Sequence, residues 1–577
     1  MKKRHKKNKN FNKNQKSFFF DDYFEANQKQ KDIYKSSIIE DRVYILFFLF
    51  ICLITIFAIK ITSISIKEPS FLESKKNNLS FLPSRRDIID RNGILISRNI
   101  KTYHAAIKPN LIKNKEKFII KIKINFPKIS HENLKNKLHQ NKYFYLKKRL
   151  TQSEKNKLWS MGEKGIIFEP NQIRIYPQAN LYSHILGQID NDNYGISGVE
   201  RYFDRELKNF KKSDKPIQLS LDTNIQYLIK NELEKSLVDF KANGAAGLLL
   251  NNQTGEVLSL VSLPDYNINL RNNISNTIYT NKITKGLYEL GSVFKTFTVA
   301  SAIDEEIFNK DSLIKNITQI FKCSIHKIKD IHEFPSEMKV EDILIQSSNV
   351  GALKIAKKIG IEKYQLFLRE LNLVGSAELE IDEISTPLEI NWKNKCKLET
   401  VSFGHGIMTT PLQVAAAYGM ISNGGHYIKS TLKKKDRPDT NRKRIIKTST
   451  SKKMNELLRQ VVTDEKGTAS LANIFGYSVG GKTGTAQNYK RKKENINTFI
   501  SIFPSHNPKY VLLVMLDDPK PATHIIYNYR GRPTKVNRNE AGWNSVYVSG
   551  KIIEKIGPIL AINNDEVYNN HAVKKPN

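Results

Sequence analysis

Three short motifs that lie far apart in the chain place the strongest constraint on how this sequence can fold. They are Ser292-Val-Phe-Lys295, Ser347-Ser-Asn349 and Lys482-Thr-Gly-Thr485. The first two arise easily by chance in a chain rich in Ser, Lys and Asn, whereas the third is rare. Because reactive side chains act together only when they are close, the motifs predict a domain in which separate helices and strands converge on one site.

The first motif is typical of a nucleophile at the start of a helix. Gly291 precedes it, and an apolar run follows from Phe294 to Ile303. The pattern predicts a buried helix with Ser292 at its N-terminus, on which positions i and i+3 share a face. Burial and a second cation at Lys482 disfavour the charged form of Lys295, so Lys295 is a candidate base for the Ser292 hydroxyl. The alternative is a serine cap beside a surface lysine.

The second motif lies between two helix-like stretches, residues 340–346 and 350–356. A corner between helices can present the Ser347 hydroxyl and the Asn349 amide to a cleft. The alternative interpretation is a polar helix cap.

The third motif predicts a strand that binds an anion. Two glycines, Gly480 and Gly481, come directly before Lys482. Glycine permits another backbone to approach closely, and the strand that follows offers N–H groups and hydroxyls to a carboxylate. The alternative is a glycine-rich hairpin with an exposed lysine.

With several other segments, these motifs resemble the class B penicillin-binding proteins, and most of all their division-specific peptidoglycan D,D-transpeptidases. The likeness covers nearly all of the chain outside its N-terminal tail. The other segments are Arg86-Asp-Ile-Ile-Asp90-Arg91-Asn-Gly93, Arg174-Ile-Tyr176-Pro177, Gly195-Ile-Ser-Gly198-Val-Glu200, Thr254-Gly255-Glu256-Val257, Ser402-Phe-Gly404-His405-Gly406, Thr410-Pro411-Leu-Gln413 and Val511-Leu-Leu-Val-Met-Leu-Asp517-Asp518-Pro519. Asp87, Leu290 and Thr296 depart from the family pattern without removing a reacting group.

The resemblance implies an α+β fold. The expected penicillin-binding, serine-transpeptidase domain has an antiparallel sheet flanked by helices plus a helical subdomain, on an elongated α+β pedestal with one N-terminal transmembrane helix. The expected domains are a basic cytoplasmic tail (residues 1–42), a transmembrane signal anchor (43–61), a pedestal of the dimerisation type (62–225) and a transpeptidase domain (226–577).

The resemblance also implies the reaction and the role of each site residue. Ser292 attacks the peptide bond between two terminal D-alanines of a peptidoglycan stem peptide, and an amine of a neighbouring stem then takes the acyl group. The expected catalytic residues are Ser292, Lys295, Ser347, Asn349 and Lys482. Ser347 relays a proton, Asn349 holds the substrate amide and Lys295, and Lys482 binds the terminal carboxylate together with the strand residues Thr483, Gly484 and Thr485. β-Lactams should acylate Ser292.

Three alternative functions are compatible with the same motifs. An elongation-specific class B transpeptidase has the same chemistry, although the context of Asn349 and the loop from Ser402 to Gly406 look more like the division type. A β-lactam-hydrolysing or β-lactam-sensing protein shares the motif triplet. The third is a catalytically silent scaffold of the division complex, which the complete triplet disfavours.

A membrane segment precedes these domains. Residues 43–59 are uncharged and mostly apolar, and Arg42 and Lys60 flank them. The pattern favours an uncleaved anchor. The flanking charges and the position in the chain disfavour a buried core helix, and the long tail and the lack of a cleavage site disfavour a cleavable signal peptide. Residues 1–42 hold 12 Lys and Arg against six Asp and Glu, which predicts a cytoplasmic tail and a periplasmic catalytic domain. The resemblance places the chain in the inner membrane, at the division septum.

Composition and the family resemblance together indicate which binding partners to expect. The net charge of +36 lies mostly on the part predicted to be exported, so no nucleic acid is expected. The resemblance implies peptidoglycan stem peptides, β-lactams, the membrane, a SEDS-family (FtsW-like) glycan polymerase and other division proteins as partners.

No cofactor is expected, and no motif indicates a metal site. His405 is interpreted as a loop residue. Cys323 and Cys396 would both be exported, and the sequence leaves their pairing open.

Overall fold

The computed structural model describes residues 44–62, 85–190, 192–209, 215–270, 276–324, 326–435, 437, 439, 441–487 and 494–572. The chain divides into two compact units, within residues 1–82 and 83–577. In the first unit, helix α1 (Tyr44–Thr62) is long and apolar enough to cross a membrane, and almost all of its side chains are exposed. The helix fits a membrane-anchored protein, as predicted. The predicted basic tail, residues 1–42, lies outside the described residues.

The second unit begins with a small sheet built around one long strand, β2. Its strands are β1 (Ile88–Ile89), β2 (Leu95–Ile107), β3 (Phe144–Leu150), β4 (Ile166–Ile175) and β5 (Ile217–Gln218). Strand β2 pairs antiparallel with β1, β3 and β4, and β5 runs parallel to β1. The helices of this region are α2 (Lys115–Asn125), α3 (His131–His139), α4 (Gln152–Trp159), α5 (Ser183–Leu186), α6 (Gly198–Tyr202) and α7 (Asp204–Leu207).

Local sequence explains where the first three of these helices begin. The side chains of Asn114, Ser130 and Thr151 each accept a hydrogen bond from a backbone N–H in the first helical turn. Such caps satisfy N–H groups that have no partner within the helix. The buried side chains of α2, among them Phe118 and Ile122, pack in a separate small core with residues of β2.

Two acidic side chains organise the segments that resemble the family's pedestal motifs. Glu200 is fully buried and accepts hydrogen bonds from the guanidinium groups of Arg85, at 2.9 Å, and Arg174, at 2.7 Å. A buried carboxylate is tolerated only with such partners. Asp90 accepts from the backbone N–H and the hydroxyl of Thr223, at 3.0 and 2.6 Å. Asp90 therefore connects the turn between β1 and β2 to the first residue of helix α8 (Thr223–Asp239).

A five-stranded antiparallel sheet forms the centre of the part of the chain that follows residue 243. Its strands are β6 (Gly244–Asn251), β7 (Val257–Leu263), β12 (Gly480–Gln487), β13 (Asn495–Phe503) and β14 (Tyr510–Asp517), in the order β12-β13-β14-β6-β7. The short strands are β8 (Leu313–Ile314), β9 (Ile320–Cys323), β10 (His326–Lys329), β11 (Met338–Lys339), β15 (Tyr527–Tyr529) and β16 (Arg532–Thr534). They form three antiparallel hairpin-like pairs, β8 with β11, β9 with β10, and β15 with β16.

Helices flank this sheet. They are α8 together with α9 (Asn276–Tyr279), α10 (Lys295–Asp304), α11 (Val340–Ile345), α12 (Asn349–Ile359), α13 (Ile361–Glu370), α14 (Lys397–Val401), α15 (Pro411–Ser422), α16 (Thr448–Thr463) and α17 (Ser545–Ala572). Helices α8 and α17 contact each other and the sheet, while α10 to α13 pack mainly among themselves and against α16. The predicted α+β fold is thereby confirmed. One core contains Ile88, Val199 and the sheet residues, so the predicted domain boundary after residue 225 stays a prediction.

Candidate active site

The candidate nucleophile lies in a tight turn rather than in the α-helix itself. A 3₁₀ turn spans Gly291–Phe294, and α10 begins directly after it at Lys295. Gly291 has φ +60°, and a Cβ there would lie 2.7 Å from the backbone oxygen of Thr485. Glycine is needed because it tolerates positive φ and close backbone approach. The turn leaves Ser292 partly exposed between buried neighbours.

Lys295 lies directly against the candidate nucleophile. Its side chain is fully buried, and Nζ donates to Ser292 Oγ at 2.9 Å, to Ser347 Oγ at 3.0 Å and to the Ser347 backbone oxygen at 2.5 Å. Burial, and next the charge of Lys482, hold the pKa of Lys295 well below its usual value, and Asp330 opposes that shift. An uncharged amine beside a serine hydroxyl can accept its proton.

Ser347 connects the two lysines of the site. It has φ +65°, and its Oγ accepts hydrogen bonds from Lys295 and, at 3.0 Å, from Lys482. Lys482 is also fully buried, and burial lowers its pKa to about 7. The structure therefore brings residues of all three motifs into one hydrogen-bonded chain.

Strand β12 carries the third motif to the edge of the site. Gly484 is required by packing, since a Cβ there would lie 2.2 Å from the backbone oxygen of Leu290 in front of the nucleophile's turn. The Thr483 hydroxyl lies 2.9 Å from that of Thr468. Thr485 is exposed, and its Oγ1 accepts from the backbone N–H of Ala541 at 3.2 Å. An exposed hydroxyl on this strand is available to a ligand.

Asn349 lies at the site but contacts a group that the sequence did not indicate. It is the first residue of α12, and its amide nitrogen donates to the backbone oxygen of Lys329 at 2.8 Å. Among the described residues, the hydrogen bonds of Lys295 go to Ser292 and Ser347 and not to Asn349. Asn349 was expected to hold Lys295 in place, but no hydrogen bond between the two is seen among the described residues. The side-chain amide of Asn349 is bonded to strand β10 instead.

Asp330 is the residue of the site that sequence reasoning missed. It is buried at the end of β10, and its carboxylate accepts from the Ser348 hydroxyl at 2.9 Å and from the backbone N–H groups of Asn349 and Val350. A carboxylate at a helix N-terminus satisfies free N–H groups and the helix dipole. Asp330 therefore fixes the corner that presents Ser347.

Sequence reasoning also missed Glu289, which bonds to the loop after α14. Glu289 Oε2 is 3.0 Å from Nδ1 of His405, and Oε1 accepts from the backbone N–H of Gly406 at 2.8 Å. The hydrogen bond with Glu289 raises the pKa of His405. His405 is a loop residue, as the sequence indicated. The loop is bonded to Glu289, which lies two positions before Gly291. Across the described part of the chain, no group of His, Cys, Asp and Glu is arranged to hold a metal ion.

The two cysteines whose pairing the sequence left open form a disulfide. Cys323, the last residue of β9, is bonded to Cys396, which directly precedes α14. The bond links the hairpin of β9 and β10, which leads to Asp330, with the segment that leads to the 402–406 loop.

Comparison with known proteins gives two family matches. The family described as "Penicillin binding protein transpeptidase domain" matches residues 245–535, just over half of the chain. The family described as "Penicillin-binding Protein dimerisation domain" matches residues 80–218.

Individual relatives match along most of the chain. The "Probable peptidoglycan D,D-transpeptidase FtsI" of Caulobacter vibrioides is 28% identical over 494 residues, which cover 83% of this chain and 82% of the relative. The "Peptidoglycan D,D-transpeptidase FtsI" of Buchnera aphidicola is 29% identical over 548 residues, covering 86% and 94%. "Stage V sporulation protein D" of Bacillus subtilis is 26% identical over 500 residues, covering 78% and 76%.

Proposed function

Because this chain belongs to the class B penicillin-binding proteins, as an FtsI-like serine-type D-Ala-D-Ala transpeptidase, we propose that it cross-links peptidoglycan stem peptides through an acyl-enzyme on Ser292 during septal wall synthesis. One observation carries the proposal. The side chains of Ser292, Lys295, Ser347 and Lys482, which come from three distant segments, form a continuous hydrogen-bonded chain. Its two serines are partly exposed, and Ser292 lies at one end of the chain.

The first half-reaction forms an ester. Neutral Lys295 takes the proton of Ser292 Oγ while that oxygen attacks the carbonyl carbon between the two D-alanines. The backbone N–H groups of Ser292 and Thr485 stabilise the oxyanion, each contributing about 3 kcal/mol. The C–N bond then breaks, and the proton returns through Ser347 to the nitrogen of the departing D-alanine.

The second half-reaction transfers the acyl group. An amine of a neighbouring stem peptide attacks the ester carbonyl and loses a proton to Lys295, and the C–O bond to Ser292 breaks with return of a proton to its oxygen. The product is a new amide that joins two stems. Diaminopimelate is the expected source of this amine.

In this proposal, strand β12 and the corner that carries Ser347 and Asn349 orient the substrate. Charged Lys482, with the hydroxyls of Thr483 and Thr485, holds the terminal carboxylate. Gly484 contributes by letting the strand pack against the turn of Ser292, rather than by a contact of its own. Asn349 offers its side-chain oxygen to the substrate amide, since its amide nitrogen is already bonded to Lys329.

Helix α1 anchors the catalytic region on the periplasmic side of the inner membrane in this proposal. The orientation follows from the basic composition of residues 1–42. The septal role is favoured by the context of Asn349 and by the Ser402 to Gly406 loop. A fluorescent fusion should collect at midcell with a SEDS-family (FtsW-like) polymerase, and a distribution along the lateral wall would favour elongation instead.

The acyl-enzyme is tested by a covalent adduct. The full-length protein in detergent, incubated with benzylpenicillin and digested, should yield one peptide that carries the penicilloyl mass, with the modification mapped to Ser292. Prior incubation with an unrelated β-lactam should prevent the adduct. No adduct, or an adduct on Ser347 or Ser348, would refute the assignment of the nucleophile, and rapid loss of the adduct would indicate a hydrolase.

The acylation rate should rise, pass through a maximum and then fall as the pH increases. Lys295 has to be uncharged, so the rate rises as the pH rises through its lowered pKa. Lys482 has to be charged, and its pKa is about 7, so the rate falls above neutrality. The decline should approach about tenfold per pH unit.

The measurement is the second-order rate of β-lactam acylation from about pH 5 to pH 9. In Lys482→Arg, whose guanidinium keeps its charge, the descending limb should vanish, provided that thermal unfolding shows an intact fold. A wild-type rate that still rises at the alkaline end would contradict the role of Lys482.

A further inference from the structure

A lysine-rimmed cleft lies beside the reaction centre. Its volume is about 620 Å³, and it is lined by Asn349, by Phe403, His405 and Gly406 of the 402–406 loop, and by four lysines. The four are Lys327, Lys329, Lys395 and Lys397. None of these lysines belongs to the motif triplet.

Three of the four lysines of this cleft have no ion pair within the described part of the chain. Lys397 Nζ donates to the backbone oxygen of Gly406 at 3.0 Å. No described carboxylate lies within ion-pair distance of Lys327, Lys329 or Lys395, whereas exposed lysines elsewhere are often paired, as in Lys363 with Glu305 at 2.6 Å. Like charges gathered around a cavity repel one another, and they attract an anionic ligand.

The cleft has rigid walls that belong to the active site. Lys327 and Lys329 lie on β10, and Lys395 and Lys397 flank Cys396, so the Cys323–Cys396 disulfide ties the two walls together. A Cβ at Gly404 would lie 2.2 Å from the backbone oxygen of Gly291, which places the 402–406 loop against the nucleophile's turn. On strand β12, the backbone oxygen of Thr485 would lie 2.7 Å from a Cβ at Gly291. The turn of Ser292 is thus packed between the carboxylate-binding strand and the loop that lines the cleft.

We infer that this cleft is a second anion subsite, which binds carboxylates of a stem peptide other than the terminal carboxylate assigned to Lys482. The inference rests on the proposed transpeptidase function and names a further part of its substrate. A stem peptide has carboxylates along its length, and exposed ammonium groups on rigid walls are suited to select them by charge. The shared chemistry is a carboxylate-bearing peptide, which either the donor or the acceptor stem supplies.

The test variant replaces three cleft lysines: Lys327→Gln, Lys329→Gln and Lys395→Gln. A matched control carries the same loss of charge on exposed lysines outside the cleft: Lys241→Gln, Lys358→Gln and Lys452→Gln. Both are full-length proteins in detergent. The probes are a synthetic pentapeptide that ends in D-Ala-D-Ala and has free upstream carboxylates, and the same peptide with those carboxylates amidated.

In the donor arm, kcat/KM for release of D-alanine from the acidic peptide should fall about tenfold in the cleft variant, at two- to threefold per lysine, and stay unchanged for the amidated peptide. In the acceptor arm, cross-link formation from a preformed acyl-enzyme compares acidic and amidated acceptors. A charge-dependent loss in either arm supports the subsite and identifies the stem that occupies it. Equal behaviour of the cleft variant and the control in both arms, or equal losses on acidic and amidated peptides, overturns the inference.

Acylation by benzylpenicillin distinguishes failure of the subsite from failure of the proposed function. It has no upstream peptide carboxylates, so it should acylate Ser292 at the same rate in wild type, cleft variant and control. If wild type is not acylated, the proposed function itself fails. If acylation is normal and the peptides show no dependence on charge, only the subsite fails.

Discussion

Replacing Lys295 with methionine should slow β-lactam acylation of Ser292 by about a thousandfold, since a general base typically contributes 10²- to 10⁴-fold. Methionine has a similar length and no basic nitrogen. It also removes the unfavourable burial of an amine close to Lys482, so the fold should remain intact or gain stability. The loss of rate would therefore report on the missing base rather than on unfolding.

The measurement is stopped-flow acylation by a fluorescent penicillin, with thermal unfolding of each variant recorded in parallel. Lys354→Met is the matched control, because burial also lowers the pKa of Lys354, and among the described residues its Nζ donates to a backbone oxygen, that of Lys315 at 3.1 Å. That variant should acylate at the wild-type rate. If Lys295→Met retained more than about a tenth of the wild-type rate, Lys295 could not be the base, and Lys482 acting through Ser347 would become the better candidate.

The sequence predicted the parts of the site that depend on local periodicity. The spacing of Ser292 and Lys295 is about one helical turn, and the 3₁₀ turn at Gly291–Phe294 brings their side chains together as that spacing predicts. The glycines before Lys482 predicted close backbone approach, and the structure shows it at Gly481, where a Cβ would lie 2.4 Å from the backbone oxygen of Ile500. The α+β fold came from the family resemblance rather than from periodicity.

Long-range contacts could not be predicted in the same way. The bond from Asn349 to Lys329 and the carboxylate of Asp330 depend on how a hairpin packs against the start of α12, and no spacing rule encodes this. Asp330 stands in an ordinary polar stretch of the sequence, with no flanking motif to mark it. The positive φ of Ser347 is likewise a property of the folded corner, since serine has no local preference for that conformation.

The same dependence on packing makes Asp330 a sensitive position. Asp330→Ala should lower the acylation rate about a hundredfold, because a small displacement of a catalytic group has that order of effect. Loss of the carboxylate leaves the Ser348 hydroxyl and the N–H groups of Asn349 and Val350 without their acceptor. The corner should then relax, and the Ser347 hydroxyl would leave the position where it meets both lysines.

Two variants distinguish this positioning role from a general loss of stability. Asp330→Asn keeps one side-chain oxygen as an acceptor and should recover part of the rate. Asp342→Ala removes a half-buried carboxylate of α11 that, within the described part of the chain, bonds locally to Gln346, and this variant should acylate normally. Asp330 also raises the pKa of Lys295, so its loss should move the acid limb of the pH–rate profile to lower pH. A merely destabilised protein would show a lower melting temperature with an unmoved profile. If Asp330→Ala acylated at the wild-type rate, Ser347 would be held in place by its lysine contacts alone, and the carboxylate would have no part in catalysis.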